Sequence, residues 1–177
     1  MITVSTTIKN KTVAEVWEFF TNPKHVINWN FAGEDWHCPK AENQLEVGKS
    51  FTYRMEAKDG ESGFNFTGIY TEIEPFSKIN YVLADERKIL ITFTETENGI
   101  ELVEKFDPEN ENPEDLQQEG WQMILDNFKK YTELFSHRFS GVLHFLSLCI
   151  LGISKQRADD FIIHFYNFID NGFIINS

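Results

Sequence analysis

The 177-residue sequence lacks the features that mark several common protein classes. It has two cysteines, Cys38 and Cys149, which are too few and too far apart for a disulfide framework. No CxxC or HxxxH pattern supplies a set of metal ligands. The apolar stretch at 139–153 is shorter than the ~20 residues that span a bilayer. We therefore expect no disulfide framework, no metal, no cofactor and no membrane span.

Basic residues are also scarce. Lysine and arginine total 16 against 28 aspartate and glutamate residues, so the net charge is -12, and the acidic excess lies before residue 136. Such a surface repels phosphates, which argues against nucleic acid and anionic lipid as partners. The N-terminal residues have no charged segment followed by an apolar run and a cleavage site, so we expect a cytoplasmic protein.

Aromatic residues are abundant, at 15% of the chain with 17 phenylalanines, which favours a thick core or an apolar cavity. One long helix is predicted from Asn112 to Phe135, with Pro113 suited to its first turn. Gly120 interrupts it, either for tight packing, which is the interpretation we favour, or to leave space for something else. Its apolar face recurs at three- and four-residue steps, and its other side is polar. The apolar face comprises Trp121, Ile124, Leu125, Phe128, Tyr131 and Phe135, and the polar side Gln118, Gln122, Asp126, Lys129, Lys130 and Glu133.

The chain before this helix predicts an antiparallel sheet interrupted once by helices. Residues 2–8 alternate as a strand does, and Thr12 opens a short helix that is followed by a second helical turn ending near Trp29. The segment 30–46 is expected to form a loop and an edge strand. Period-two alternation then begins at Lys49 and continues through several further strands.

Two turn signals organise these later strands. Asp59-Gly60 and Asn98-Gly99 each stand between alternating runs, which is typical of hairpins. The predicted order is thus one strand, two short helices, about six strands and one long helix, an α+β domain.

The sequence changes in character after Phe135. Residues 139–153 are apolar nearly all round, and a second amphipathic stripe follows between Phe161 and Ile169. We expect residues 1–135 to form the domain and residues 136–177 to form an apolar helical extension of two helices. A homodimer through this extension is one expectation.

Three segments carry a resemblance to a known family. They are WNFAGEDWHCPKAEN at 29–43, FTYRMEAKDG at 51–60 and ENENPEDLQQEGWQMILDNFKKY at 109–131. Over about residues 1–135 the chain resembles standalone bacterial proteins similar to the C-terminal domain of the activator of the 90-kDa heat-shock protein ATPase. That family lies within the START-like, or SRPBCC, superfamily. The resemblance implies a helix-grip fold, in which a curved antiparallel sheet wraps the long helix and often leaves an apolar cavity.

The resemblance leaves the function open, because members of the superfamily include both enzymes and binding proteins. Our first hypothesis is a non-enzymatic domain that binds a small apolar ligand in the cavity. The alternatives are a chaperone-linked protein-interaction domain and a hydrolase or cyclase-type enzyme. The eukaryotic activator has a separate N-terminal chaperone-contacting domain to which nothing in this sequence corresponds. The expected ligand contacts are Trp29, Trp36, Phe51, Tyr53, Met55, Phe66, Tyr70, Tyr81, Trp121, Ile124 and Phe128.

No catalytic residue is predicted. His37 and Cys38 are neighbours, and adjacent side chains on an extended chain point to opposite faces, which disfavours a catalytic pair. Several carboxylates alternate with apolar residues on the predicted strands, and we expect them to lie mostly on the solvent side. They are Glu72, Glu95, Glu101 and Glu104.

Overall fold

A computed structural model describes the backbone of residues 1–150 and the side chains of residues 1–135. It contains the predicted order of elements. The strands are β1 Ile2–Ile8, β2 Trp36–Asn43, β3 Ser50–Ala57, β4 Gly63–Glu74, β5 Lys78–Leu83, β6 Lys88–Thr96 and β7 Gly99–Phe106, and the helices are α1 Val13–Thr21, α2 Pro23–Val26 and α3 Glu114–Ile150.

The strands form one curved, seven-stranded antiparallel sheet in the order β1-β7-β6-β5-β4-β3-β2. Both predicted hairpins are present. Gly99 begins β7 with a φ of +126°, and a Cβ atom there would overlap the carbonyl oxygen of Ile8. A glycine is therefore required where this turn meets the end of β1. Strand β2 is the edge strand that was predicted within residues 30–46.

The helices are placed by local signals and by their apolar faces. Thr12 caps α1 in a capping box, because its side chain accepts from the backbone of Glu15 while the Glu15 carboxylate accepts from the Thr12 backbone. On α3, Leu125 and Phe128 are fully buried in the core cluster that also contains the inward-facing residues of the sheet. The predicted helix-grip architecture is confirmed.

Helix α3 is longer than predicted. It was expected to end at Phe135, but its backbone remains helical to Ile150. The sequence becomes apolar after Phe135, but no proline or glycine occurs before Gly141. These residues therefore contain no signal that ends a helix. The first compact unit of the chain spans Met1–Ser136. The second predicted stripe, from Phe161 to Ile169, lies outside the described residues.

Two further observations concern the helices. No helix among the described residues is both long and apolar enough to cross a membrane.

A Cβ atom built on Gly120 would meet nothing within 4 Å apart from the neighbouring helix backbone, so the favoured interpretation of tight packing at Gly120 was wrong. The apolar face of α3 meets the sheet elsewhere along the helix.

Candidate functional site

A cavity of about 230 Å³ lies between the concave face of the sheet and the helices. Five strands, helices α1 and α3, and the turn that follows α2 contribute to its wall. The lining residues are Phe20, Thr21, Trp29, Asn30, Phe51, Tyr53, Met55, Phe64, Phe66, Tyr70, Ile79, Tyr81, Arg87, Ile91, Glu104, Trp121 and Ile124.

The sheet side of the cavity is aromatic because the strand period of two points alternate residues inward. Phe51 and Tyr81 meet edge to face with their centroids 4.9 Å apart. They come together over Gly68, where an added Cβ would lie 2.7 Å from the Phe51 ring and 2.9 Å from the Tyr81 ring. The absence of a side chain at Gly68 therefore allows these two rings to form a continuous wall.

The helical side of the cavity is held by ring stacking. Phe20 and Trp29 stack at 5.2 Å, and the Trp29 indole N–H donates to the carbonyl oxygen of Phe19 at 3.1 Å. Trp121 of α3 stacks on Phe106 of β7 with centroids 4.0 Å apart. These contacts fix the orientation of both tryptophans, so the wall is formed before any ligand binds.

Most polar groups on the cavity wall are already engaged. The Tyr70 hydroxyl donates to Oδ1 of Asn43 at 2.9 Å, and the Asn43 amide donates to the Thr21 carbonyl oxygen at 2.7 Å. Burial raises the pKa of Tyr70 to about 12. Burial also raises the pKa of Tyr53 well above its usual value. Both phenols are therefore neutral at physiological pH and act as hydrogen-bonding groups.

Glu104 is an exception. Its side chain lies on the cavity wall and its residue is 6% exposed, yet no hydrogen bond or ion pair to its carboxyl group is found among the described residues. Burial raises its pKa to about 8, because a low-dielectric surrounding disfavours the charged form. Of the four carboxylates that were expected to lie mostly on the solvent side, Glu104 is the one that is buried. It shares the parity of Ile100, Leu102 and Phe106, which are all buried.

Tyr81 lies near this carboxyl group. Burial raises the pKa of Tyr81 well above its usual value, and the negative charge of Glu104 raises it further. Arg87 is the cation on the wall, and its Nε lies 2.7 Å from Oδ2 of Asp85, so its charge is balanced by Asp85. Phe64 is 51% exposed, which places solvent against that part of the wall.

The structure brings together most of the residues that were predicted to contact a ligand. All of them except Trp36 and Phe128 line the cavity. Trp36 lies outside it, with its ring 6.0 Å from that of Phe64. Phe128 is fully buried in the core, where it packs edge to face against Phe20 and Trp29. Ligand contact by the residues that line the cavity remains a prediction.

Sequence reasoning missed several lining residues. Ile79, Ile91 and Glu104 share the inward parity of their strands, and this parity was the signal that could have found them. Asn30 and Arg87 stand outside the strands, in segments with no regular period to interpret. The remaining missed residues are Phe20, Thr21 and Phe64.

Cys38 has the environment of a structural thiol. It is buried, its Sγ donates to the carbonyl oxygen of Lys40 at 3.5 Å, and burial raises its pKa to about 11. The reactive thiolate is therefore scarce at neutral pH. Within residues 1–135, no group of three or more His, Cys, Asp or Glu side chains is placed to hold a metal ion.

Comparison with known proteins identifies the family. The family model described as Activator of Hsp90 ATPase homolog 1-like protein matches residues 10–133. The chain belongs to this family. The match begins after β1 and spans every element from α1 to about the middle of α3. No curated protein matches the chain.

The similarity to two relatives of known structure extends over nearly the whole length of each relative. The Activator of Hsp90 ATPase homolog 1-like protein from Aeromonas hydrophila is 36% identical, with a TM-score of 0.72 over 76% of this chain and 93% of its own. The protein Chr148 from Cytophaga hutchinsonii is 43% identical, with a TM-score of 0.66 over 77% of this chain and 94% of its own. Protein CV1439 from Chromobacterium violaceum, at 21% identity and a TM-score of 0.67 over 75% of this chain and 96% of its own, shares the fold.

Proposed function

We propose that the domain binds one small apolar molecule in the cavity between the sheet and helix α3. The observation that carries this proposal is a cavity of about 230 Å³ whose wall consists mainly of aromatic rings. An apolar cavity of about 150 Å³ accommodates benzene. The expected ligand is therefore a single ring with a short substituent, which is smaller than the occupants of most ligand pockets.

The expected affinity follows from the area that such a ligand buries. A ring of this size removes about 150–250 Å² of apolar surface from water, which at about 25 cal/mol per Å² contributes about 4–6 kcal/mol. This corresponds to a dissociation constant between about 1 mM and tens of micromolar. The stacked tryptophans favour binding further, because little of the wall has to be ordered when the ligand enters.

The first test is native mass spectrometry of the protein purified from its own cells, in which a retained small molecule supports the proposal. The second is a calorimetric titration with a one-ring compound such as toluene. A large residue on the wall, in Ile124→Trp, should abolish saturable binding. Trp36→Ala, which changes an aromatic residue outside the cavity, is the matched control and should bind as the parent does. Equal binding by all three proteins would refute the proposal.

A second candidate is a protein-interaction role. It is supported by the family description, which refers to an activator of the Hsp90 ATPase, and by the net charge of -12. The test is the ATPase rate of the chaperone from the same organism with and without this protein. A rate that does not change across a full titration would reject this candidate.

An enzymatic role of the hydrolase or cyclase type would require a second ordered polar group beside Glu104. Tyr81 is the nearest candidate, but no hydrogen bond joins the two side chains among the described residues. We therefore propose a binding domain that is not an enzyme. Its expected location is the cytoplasm, with no nucleic acid as a partner.

A further inference from the structure

The cavity wall contains one acidic group to which no side chain or backbone group of residues 1–135 forms a hydrogen bond or ion pair. Thr21 donates to the Trp17 carbonyl oxygen at 2.8 Å, Asn30 donates to the Met55 sulfur at 3.4 Å, and Tyr70 donates to Asn43. Glu104 has no such partner among the described residues, although only 6% of its surface is exposed. A buried carboxyl group without a partner is costly to the fold, so its presence in the cavity points to a ligand group that it meets.

The surroundings of Glu104 indicate the charge of that ligand group. Phe106, two residues along the same face of β7, carries the stacked ring of Trp121. Tyr81 is close enough to sense the charge of Glu104. Aromatic faces attract cations, and quaternary and primary ammonium groups are typically bound among rings. The one arginine on the wall, Arg87, is already paired with Asp85.

The overall charge supports the same choice. An anionic ligand would be repelled both by Glu104 and by the net charge of -12, whereas a cation is concentrated near an acidic surface. We propose that Glu104 binds the protonated amino group of a small aryl-alkyl amine, whose ring occupies the aromatic part of the cavity. This inference rests on the proposed binding function and specifies its ligand class.

The proton balance of this step gives it a measurable signature. In the empty cavity at neutral pH the Glu104 carboxyl group keeps its proton, because burial raises its pKa to about 8. An incoming ammonium group pairs with the carboxylate, so that the proton leaves Glu104 for the buffer. The carboxyl group and the ammonium group thus form a carboxylate–ammonium ion pair, and one proton is released.

Glu104 should be the group whose titration controls the proton release and the pH dependence of amine binding. Of the other groups that face it, Tyr53, Tyr70 and Tyr81 all have pKa values raised above the usual phenol value. Arg87, the charged side chain on the wall, is paired with Asp85. Amine affinity should therefore increase up to tenfold per pH unit below about pH 8 and then level off.

The experiment compares phenethylamine with phenethyl alcohol, which differs only in its polar group, by calorimetry on the full chain at about pH 6, 7 and 8. Two buffers of different ionisation enthalpy report the protons released. At about pH 8 we expect the amine to bind at least tenfold more tightly than the alcohol. At about pH 7 up to one proton should be released for each amine bound. Glu104→Gln should remove the preference for the amine and the proton release while still binding the alcohol.

The outcomes separate the two proposals. Equal affinities without proton release, or a Glu104→Gln variant that keeps the amine preference, would overturn the amine assignment and leave cavity binding intact. Tighter binding of the alcohol, weakening above about pH 8, would assign Glu104 as a neutral hydrogen-bond donor instead. If neither compound binds, the cavity function itself fails. The proton-release measurement uses the unchanged protein, so it decides the matter even if Glu104→Gln does not fold.

Discussion

The side-chain amide of Gln122 in helix α3 forms two hydrogen bonds with the backbone of Ser5 in strand β1. The Ser5 N–H donates to Oε1 at 3.3 Å, and Nε2 donates to the Ser5 carbonyl oxygen at 3.0 Å. Gln118 adds a third such bond, to the carbonyl oxygen of Thr3 at 3.0 Å. Because β1 is an edge strand, these side chains satisfy its outer backbone groups and protect the edge. They also hold α3 in the rotation that turns Trp121 toward the cavity.

Replacing Gln122 should loosen this attachment. We expect Gln122→Ala to lower the free energy of unfolding by about 0.5–1.5 kcal/mol, since each exposed hydrogen bond contributes little in net terms. The amide proton of Ser5 should also exchange faster with solvent, which NMR would measure. Lys130→Ala, an exposed residue on the same helix, is the control. An unchanged exchange rate at Ser5 would show that the Gln122 bonds do not persist in solution.

The two faces of α3 could be predicted from the sequence, but this use of the polar face could not. The spacing of Trp121, Leu125 and Phe128 identifies the buried side. Whether Gln122 meets water or a strand depends on which strand lies at the edge of the sheet. That depends on strand order, which is set by contacts between distant parts of the chain, whereas the helical period is local.

The neighbouring residues Ile124 and Leu125 provide a matched test of where the cavity lies. Leu125 is fully buried in the core, whereas Ile124 lines the cavity and is partly exposed. Leu125→Ala should cost about 2–5 kcal/mol, the range for a large-to-small change in a packed core. Ile124→Ala should cost less, because that side chain already has few neighbours on one side. Urea unfolding curves measure both values, and equal losses would indicate that no cavity exists beside Ile124.

The position of Phe128 differs from the one that was predicted from the sequence. It was predicted to contact the ligand, but it is fully buried and packs between Phe20 and Trp29. The helical period places Phe128 and Trp121 on one face, yet the curvature of the sheet decides which of them meets open space. Sequence periodicity therefore predicts that a residue is buried more reliably than whether it meets a cavity or other side chains.

Gly120 should be replaceable with a gain in stability. It lies inside α3 and has no positive φ, and apart from the neighbouring helix backbone no atom lies within 4 Å of the position that a Cβ would occupy. Gly120→Ala should raise the free energy of unfolding by about 0.5–1 kcal/mol, because alanine loses less backbone entropy in a helix. Thermal and urea unfolding test this expectation. A loss of stability would mean that the helix packs more closely at Gly120 than the structure indicates.

The residues up to Ser136 should fold without the rest of the chain. They form the first compact unit, and the family model ends at residue 133. A chain that ends after Ser136 should keep a single cooperative unfolding transition, and its elution on size exclusion should be compared with that of the full chain. A dimer found only with residues 137–177 present would support the predicted dimerisation through the extension. Loss of the transition would make those residues part of the domain.

Glu104 could have been identified as inward-facing from its strand parity alone, yet its charge argued for the solvent side. Among Glu72, Glu95, Glu101 and Glu104, only the last is buried. A charged residue in an inward position conflicts with the local pattern, and such conflicts concentrate at functional sites. The lack of a partner for Glu104 becomes visible only when the surrounding strands are in place, so the sequence could not reveal it.

Burial of Glu104 should make the stability of the protein depend on pH. Its pKa is raised from the usual 4.5 to about 8 in the folded state, so between those values the unfolded chain has released a proton that the folded protein keeps. The free energy of unfolding should therefore fall as pH rises through this window, by up to about 1.4 kcal/mol per pH unit, and level off above about pH 8.

Glu104→Gln should remove this component, so the variant should gain stability relative to the parent as pH rises from about 5 to about 8. His25 acts in the opposite direction, because burial lowers its pKa and favours the neutral form, but both proteins contain it and its effect cancels in the difference. Urea unfolding of the two proteins across this range gives the difference directly. A constant difference at every pH would mean that Glu104 is solvated and ionises as an ordinary carboxyl group.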